Sequence, residues 1–190
     1  MPPGNYVLPK PVNILVLVSG NGSNLQALLD SGIEVALVVA DRECNGLSRA
    51  AAAGVAFERI PRKKQERLLP LLTERGIGFV VTAGYLSILP PEVVRAYPRK
   101  IVNIHPSLLP AFGGMGFYGL KVHEAVLASG AKTTGATVHY VEEGVDTGEV
   151  IISREVPVLR SDTADILQAR VLETEHALLV ETVKKLISEV

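Results

Sequence analysis

Residues 12–18 form a continuous β-rich apolar run that ends in Ser19-Gly20-Asn21-Gly22-Ser23-Asn24, after which Leu25, Leu28 and Leu29 recur at helical spacing. A strand that passes through a glycine-rich turn into a helix is a βα unit, and a βα unit has to bury both faces of its strand. The pattern repeats. A run at 34–40 precedes an alanine-rich helix at 46–53 and a short strand at 55–59. A charged helical stretch at 62–75, a strand at 78–83, a helix opened by Pro90-Pro91 and a strand at 101–104 follow. Strands apolar throughout predict helices on both faces of a mostly parallel sheet, the doubly wound α/β class.

The remainder is of another kind. Residues 111–119 carry glycines at 113, 114, 116 and 119, too many for regular structure, and such loops tend to carry function. A helix is expected at 120–128. Strands at 134–141 and 149–158 flank the turn Glu142-Glu143-Gly144-Val145-Asp146-Thr147-Gly148 and read as a hairpin. A last helix spans 162–188, with Thr163, Ile166, Ala169, Leu172 and His176 at three- and four-step spacing. At 190 residues, with no internal repeat and no linker, one domain over 12–190 is expected, preceded by a loosely packed, proline-rich arm at 1–11.

Composition removes several classes of function. The arm lacks the apolar core of a secretory signal, and the longest apolar runs fall far short of the roughly 20 residues that cross a bilayer, so neither export nor a membrane span is expected. The one cysteine, Cys44, can form no internal disulfide and supports no zinc cluster, which suits a reducing cytoplasm. Nineteen basic against twenty acidic residues leave a net charge of −1, without the electrostatic footprint of a nucleic-acid binder. That charge, with no obvious exposed apolar stripe, leaves monomer and homodimer both open.

Two segments carry chemistry. The glycine-rich turn presents backbone N–H groups at a helix N-terminus, where the macrodipole favours an anion such as phosphate. It lacks the third glycine of a dinucleotide fingerprint and the Gly-Lys-Ser/Thr ending of a P-loop, so neither NAD nor ATP is indicated. A tight turn with Ser23 as the helix N-cap accounts for the same residues. In Ile101-Val102-Asn103-Ile104-His105-Pro106-Ser107, Asn103 and His105 stand two apart at the C-terminal end of a strand and so point to one face, at the edge where such sheets bind ligands. The Asn103 amide can donate to an oxygen that becomes negative during acyl transfer, and His105 can exchange a proton with the same centre. A carboxylate beside His105 would raise its pKa and keep it protonated, and Asp146 is the leading candidate. Each segment alone also has a purely structural reading: Asn103 capping a turn, His105 bonded to a backbone carbonyl, Asp146 bonding its own turn. His123, His139 and His176 share no metal-ligand spacing with one another or with Cys44, so no metal is expected, and no elbow or Cys-His pair suggests a covalent nucleophile.

Taken in order, residues 19–26 (Ser-Gly-Asn-Gly-Ser-Asn-Leu-Gln), 83–86 (Ala-Gly-Tyr-Leu), 103–110 (Asn-Ile-His-Pro-Ser-Leu-Leu-Pro), 121–125 (Lys-Val-His-Glu-Ala), 135–139 (Gly-Ala-Thr-Val-His) and 144–148 (Gly-Val-Asp-Thr-Gly) make the chain from Val12 onward resemble the folate-dependent glycinamide ribonucleotide formyltransferases of purine biosynthesis. The resemblance implies a Rossmann-like formyltransferase fold with a C-terminal hairpin and helix, and direct transfer of the formyl group of 10-formyltetrahydrofolate to the amino group of glycinamide ribonucleotide. In that scheme Asn103 and protonated His105 hold the oxygen of the tetrahedral intermediate, and Asp146 orients the histidine or an intervening water. Gly22, Ser23 and Asn24 hold the phosphate and ribose, and Glu175 contacts the ribonucleotide from the last helix. Leu86, Ser87, Ile88 and Leu89, with Asn103 and the turn Glu142, Glu143, Gly144, Val145 and Asp146, line the folate pocket, and Arg62 is the basic residue turned toward it. The loop at 112–119 is longer than the Pro-Gly form of some members, and the segment around 60–67 is shorter.

Related formyltransferases acting on methionyl-tRNA or nucleotide sugars, and a formyltetrahydrofolate hydrolase, share the core but carry a further domain, for which 190 residues are not expected to leave room. A nucleotide-binding or sensory α/β module, binding without turnover, is the non-enzymatic alternative.

Overall fold

The computed structural model describes residues 12–189; the arm at 1–11 and Val190 lie outside the described residues. Seven strands form one sheet in the order β3-β2-β1-β4-β5-β6-β7. β1 (Asn13–Val18), β2 (Val35–Ala40), β3 (Phe57–Arg59), β4 (Ile77–Thr82) and β5 (Ile101–His105) pair in parallel. β6 (Thr133–Tyr140) runs antiparallel to β5 and to β7 (Val150–Pro157), so the expected hairpin closes one edge.

Period-two alternation within β1 explains the two-sided core. Ile14, Val16 and Val18 pack with Leu25 and Leu28 of α1 (Ser23–Asp30) and with Leu178 and Leu179 of α6 (Ala164–Ser188). Leu15 and Leu17 face the other way, onto Leu68, Leu71 and Leu72 of α3 (Leu68–Glu74) and Val93 of α4 (Pro91–Ala96). Each such buried leucine contributes about 1.5–3 kcal/mol. α2 (Asn45–Ala52) covers β2, and α5 (Leu120–Ser129) packs on α6.

Three local expectations are corrected. The stretch 62–75 is not one helix: Arg62–Arg67 is a 3₁₀ segment with a non-helical Lys64, and α3 begins only at Leu68. Helix α1 starts at Ser23 with left-handed Gly22 (φ +73°) as its cap, so Ser23 is inside the helix and not its N-cap. In α6, capped by the Thr163 hydroxyl accepting from Ile166 N–H, the buried stripe is Leu167, Val171, Glu175, Leu178 and Thr182. That stripe is rotated from the expected one, because Ile166 is half-exposed. A carboxylate thus occupies the middle of a core-facing stripe.

Strand order reverses between β1 and β4, the place where an open α/β sheet leaves a crevice beyond the carboxyl ends of its strands. The glycine turn after β1 and residues 83–89 after β4 form its two lips.

Candidate active site

A cavity of about 780 Å³ opens at this crevice, within the size range of small-molecule sites. It is lined by Asn103 and His105 from β5, by Gly144, Val145 and Asp146 from the hairpin turn, and by residues 86–89 from the loop after β4.

The Asn103 amide has a fixed orientation. Thr82 Oγ1 donates to Asn103 Oδ1 at 2.6 Å, which turns Nδ2 toward His139 Nε2 (3.0 Å) and Asp146 Oδ1 (3.5 Å). His139 bonds through Nδ1 to the Tyr140 carbonyl at 2.8 Å, so in its neutral form Nε2 is free to accept from Asn103. Buried His105 bonds through Nε2 to the Phe112 carbonyl at 2.8 Å, leaving Nδ1 3.5 Å from Asp146 Oδ2. The other contact of Asp146 Oδ2 is the Gly114 N–H at 2.9 Å. A side chain at Gly113 would meet Leu109 Cδ2 at 2.4 Å, so glycine there lets the loop close on the aspartate. Phe112 (φ +54°) and Asp146 (φ +56°) are both left-handed non-glycine residues, and both touch His105. Such conformations cost on the order of 1–3 kcal/mol and cluster at functional sites.

Burial pushes Asp146 upward, but the His139 ring 3.6 Å away, the charge of His105 and the Gly114 N–H outweigh it and leave the carboxyl below its ordinary range. For His105 burial is the largest influence, and it lowers the pKa despite the opposing pull of Asp146 and Phe112. The expectation that Asp146 keeps His105 protonated is therefore corrected: the pull has the expected sign, and desolvation exceeds it.

The lip after β4 is braced from behind. Ser87 Oγ donates to buried Asp41 Oδ2 at 2.7 Å, Arg42 grips the same carboxylate at 2.8 and 3.0 Å, and the Leu86 N–H donates to Ser19 Oγ at 2.8 Å. Burial drives Asp41 up, and Arg42, Ser87 and Ser19 together bring it below its usual value. The Tyr85 hydroxyl donates to Gln65 at 2.7 Å and is pushed to about 12 by burial. Ser87 thus faces the scaffold, whereas Leu86 and Ile88 are the exposed apolar wall and Leu89 is buried. Arg62 and Glu142 line the cavity, and Glu143 does so while paired at 2.7 Å with Arg95. At the opposite lip, Asn24 Nδ2 donates to Glu175 Oε2 at 2.9 Å, and both residues line the cavity. Gly22 and Ser23 stand behind Asn24, outside the cavity lining, with Gly22 wedged against Gly46 of α2. Among the described residues no cluster of His, Cys, Asp or Glu has the makings of a metal site.

A family model described as Formyl transferase matches residues 12–183. The chain belongs to the formyl transferase family. It is 45% identical over 190 residues to the chloroplastic phosphoribosylglycinamide formyltransferase of Vigna unguiculata, covering 93% of this chain and 61% of that protein's length. It is 37% identical over 181 residues to the phosphoribosylglycinamide formyltransferase of Escherichia coli (strain K12), covering 88% and 83%. The solved structure of glycinamide ribonucleotide transformylase 1 from Symbiobacterium toebii superposes with a TM-score of 0.89 at 36% identity, covering 98% of this chain and 92% of that one. A formyltetrahydrofolate deformylase from Pseudomonas syringae pv. tomato shares the fold at 25% identity and TM-score 0.82, with 62% of its length covered.

Within this formyl transferase, sequence reasoning missed Thr82 and His139, which set the Asn103 amide, and Asp41 and Arg42, which brace the lip after β4. His139 alternates with Thr137 on β6, and only the strand pairing brings it into register with Asn103.

Proposed function

We propose that the chain transfers the formyl group of 10-formyltetrahydrofolate to the amino group of glycinamide ribonucleotide, giving the N-formyl product and tetrahydrofolate in de novo purine synthesis. The convergence of Asn103, His105 and Asp146 at one end of β5, inside a cavity of about 780 Å³, carries this reading.

The amine nitrogen attacks the formyl carbon directly, and the carbonyl π pair moves onto oxygen. Asn103 Nδ2 and a protonated His105 stabilise that oxygen. His105 is held below its ordinary pKa in the free chain, so the negative charge developing on the formyl oxygen supplies the counter-charge that burial denies it. Asp146 orients the imidazole or a water that takes the proton lost by the amine. Collapse of the intermediate breaks the bond to the folate N10, which receives a proton. No acyl-enzyme and no metal enter the scheme. Gly22, Ser23 and Asn24 hold the phosphate and ribose with Glu175. Arg62, residues 86–89 and residues 142–146 take the folate.

The free Cys44 thiol suits a reducing compartment, and we place the reaction in the cytoplasm, with the plastid of the plant relatives as the alternative. The functional unit is a monomer or homodimer. The kinship with a deformylase gives hydrolysis of the formyl-folate as the second reading. An absorbance assay of purified protein with formyl-folate, with and without glycinamide ribonucleotide, separates the two. Turnover only with ribonucleotide is expected; deformylation without it overturns the transferase reading.

A further inference from the structure

His123 sits in the first turn of α5, 1% exposed, and its Nδ1 is buried with no hydrogen-bond partner. Folded proteins rarely leave a buried polar atom unpaired, because the water it gave up is not replaced. An apolar residue would serve the packing of α5 better, yet an imidazole stands here, and it stands in the cavity wall. Burial, helped by the neighbouring His105, pushes its pKa down to about 4, so near neutral pH the ring is uncharged and offers one donor and one acceptor. A second buried orphan, Asn24 Oδ1, belongs to a residue of the same wall. α5 packs on α6 and α6 on α1, so the elements bearing His123, Glu175 and Asn24 adjoin one another. The folate lip is formed by other elements, the loop after β4 and the hairpin turn.

Resting on the ribonucleotide reading above, we propose that His123 is a binding residue for the glycinamide arm, hydrogen-bonding its amide or amine between the sugar contacts at Asn24 and Glu175 and the reacting centre at Asn103 and His105. The amide of the arm brings an N–H donor and a carbonyl acceptor without charge, partners that suit an uncharged imidazole. A folate bound alone leaves the orphan nitrogen unsatisfied.

The test labels the histidines of the whole protein with ¹⁵N and titrates it. The His123 ring signals are identified by their absence from His123→Phe. Adding glycinamide ribonucleotide should move those signals, and adding a non-reactive folate analogue alone should leave them in place; no movement at saturating ribonucleotide overturns the proposal. In kinetics, His123→Phe should raise KM for the ribonucleotide about tenfold while the folate KM changes less than about twofold, the size of effect that one lost hydrogen bond gives. Its Tm should be unchanged or higher, because an apolar ring replaces an unpaired imidazole. His123→Asn, which keeps an amide near the position of Nδ1, should recover part of the loss. Unchanged or equally raised KM values in folded His123→Phe overturn the proposal. If that variant does not fold, the absence of those signals from His123→Asn makes the assignment and the wild-type titration decides. Wild-type protein that binds both substrates without any formyl transfer overturns the activity instead, and the ring signals still report whether His123 meets the ribonucleotide.

Discussion

Asn24, at the start of α1, donates to Glu175, on the buried stripe of α6, at 2.9 Å across 151 residues of chain. Burial drives the Glu175 carboxyl up to about 7, only partly opposed by Asn24. A folded-state pKa above the unfolded value means that the protonated form is favoured in the fold. That contribution is complete below about 4.5 and is lost as pH rises through about 7. Glu175→Gln keeps the amide-to-oxygen bond and removes the charge. It should therefore match wild type near pH 4.5 and exceed it at pH 8 by on the order of 1–3 kcal/mol, a few degrees in Tm. The same variant should raise the KM for ribonucleotide and leave that for folate near its wild-type value. A Tm difference independent of pH would show that the fold does not raise the Glu175 pKa.

The Thr82 hydroxyl decides which end of the Asn103 amide meets the cavity. Thr82→Val is close to isosteric but deletes the donor, so Oδ1 is no longer tied down and Nδ2 spends part of its time turned away. We expect kcat to fall about tenfold, less than the roughly 10²-fold or more for removing an oxyanion donor outright, as in Asn103→Ala. Steady-state kinetics of the two variants checks the order; equal losses would mean that the amide orientation has no other guardian.

How much of this was legible in the sequence depends on the range of the interaction. Periodicity located β1, β4 and β5 because their faces are buried on both sides, and it put Asn103 and His105 on one face because alternation in a strand is strict. The order β3-β2-β1-β4-β5-β6-β7 was not legible, since nothing local in residues 77–82 says that they lie beside residues 13–18. Asp41, Thr82 and His139 were missed for the same reason: each reads locally as an ordinary strand or strand-end residue, and each acts through a neighbour 21 to 46 residues away, and Arg42 matters only through the Asp41 carboxylate beside it. Glu175 was reached through family resemblance, whereas its own signal, a carboxylate on a leucine-rich helical stripe, needed the phase of α6. Protonation of His105 went astray because sequence shows an acidic partner and does not show the burial that outweighs it.

Gly22 should be intolerant of any side chain, for two separable reasons. Its φ of +73° disfavours L-residues, and a Cβ would lie 2.6 Å from the backbone Cα of Gly46, which cannot move aside because its own Cβ direction is filled by Val18. Gly22→Val should raise the KM for ribonucleotide well above any change for folate, since the displaced turn is the one proposed to hold the phosphate. Gly20 is the control: a Cβ there meets nothing within 4 Å, so Gly20→Ala should alter either KM little. Equal effects of Gly22→Val on both substrates would instead mean damage to the fold.

His105 and Asp146 should behave as a unit. In the proposed scheme the imidazole acts in its protonated form, which burial disfavours and Asp146 supports, and the carboxylate faces the imidazole at 3.5 Å. His105→Ala removes the acid, and Asp146→Asn removes the support while preserving the shape and one bond to Asn103 or Gly114. Each should lower kcat by at least ~10²-fold, the loss typical of acid-base groups. If the two act on one proton, the double variant should lose little more than His105→Ala alone, because a support without its acid has nothing left to do. Multiplicative losses would assign Asp146 a role of its own, such as taking the amine proton through water. A near-normal kcat in both folded single variants would remove them from the chemistry altogether.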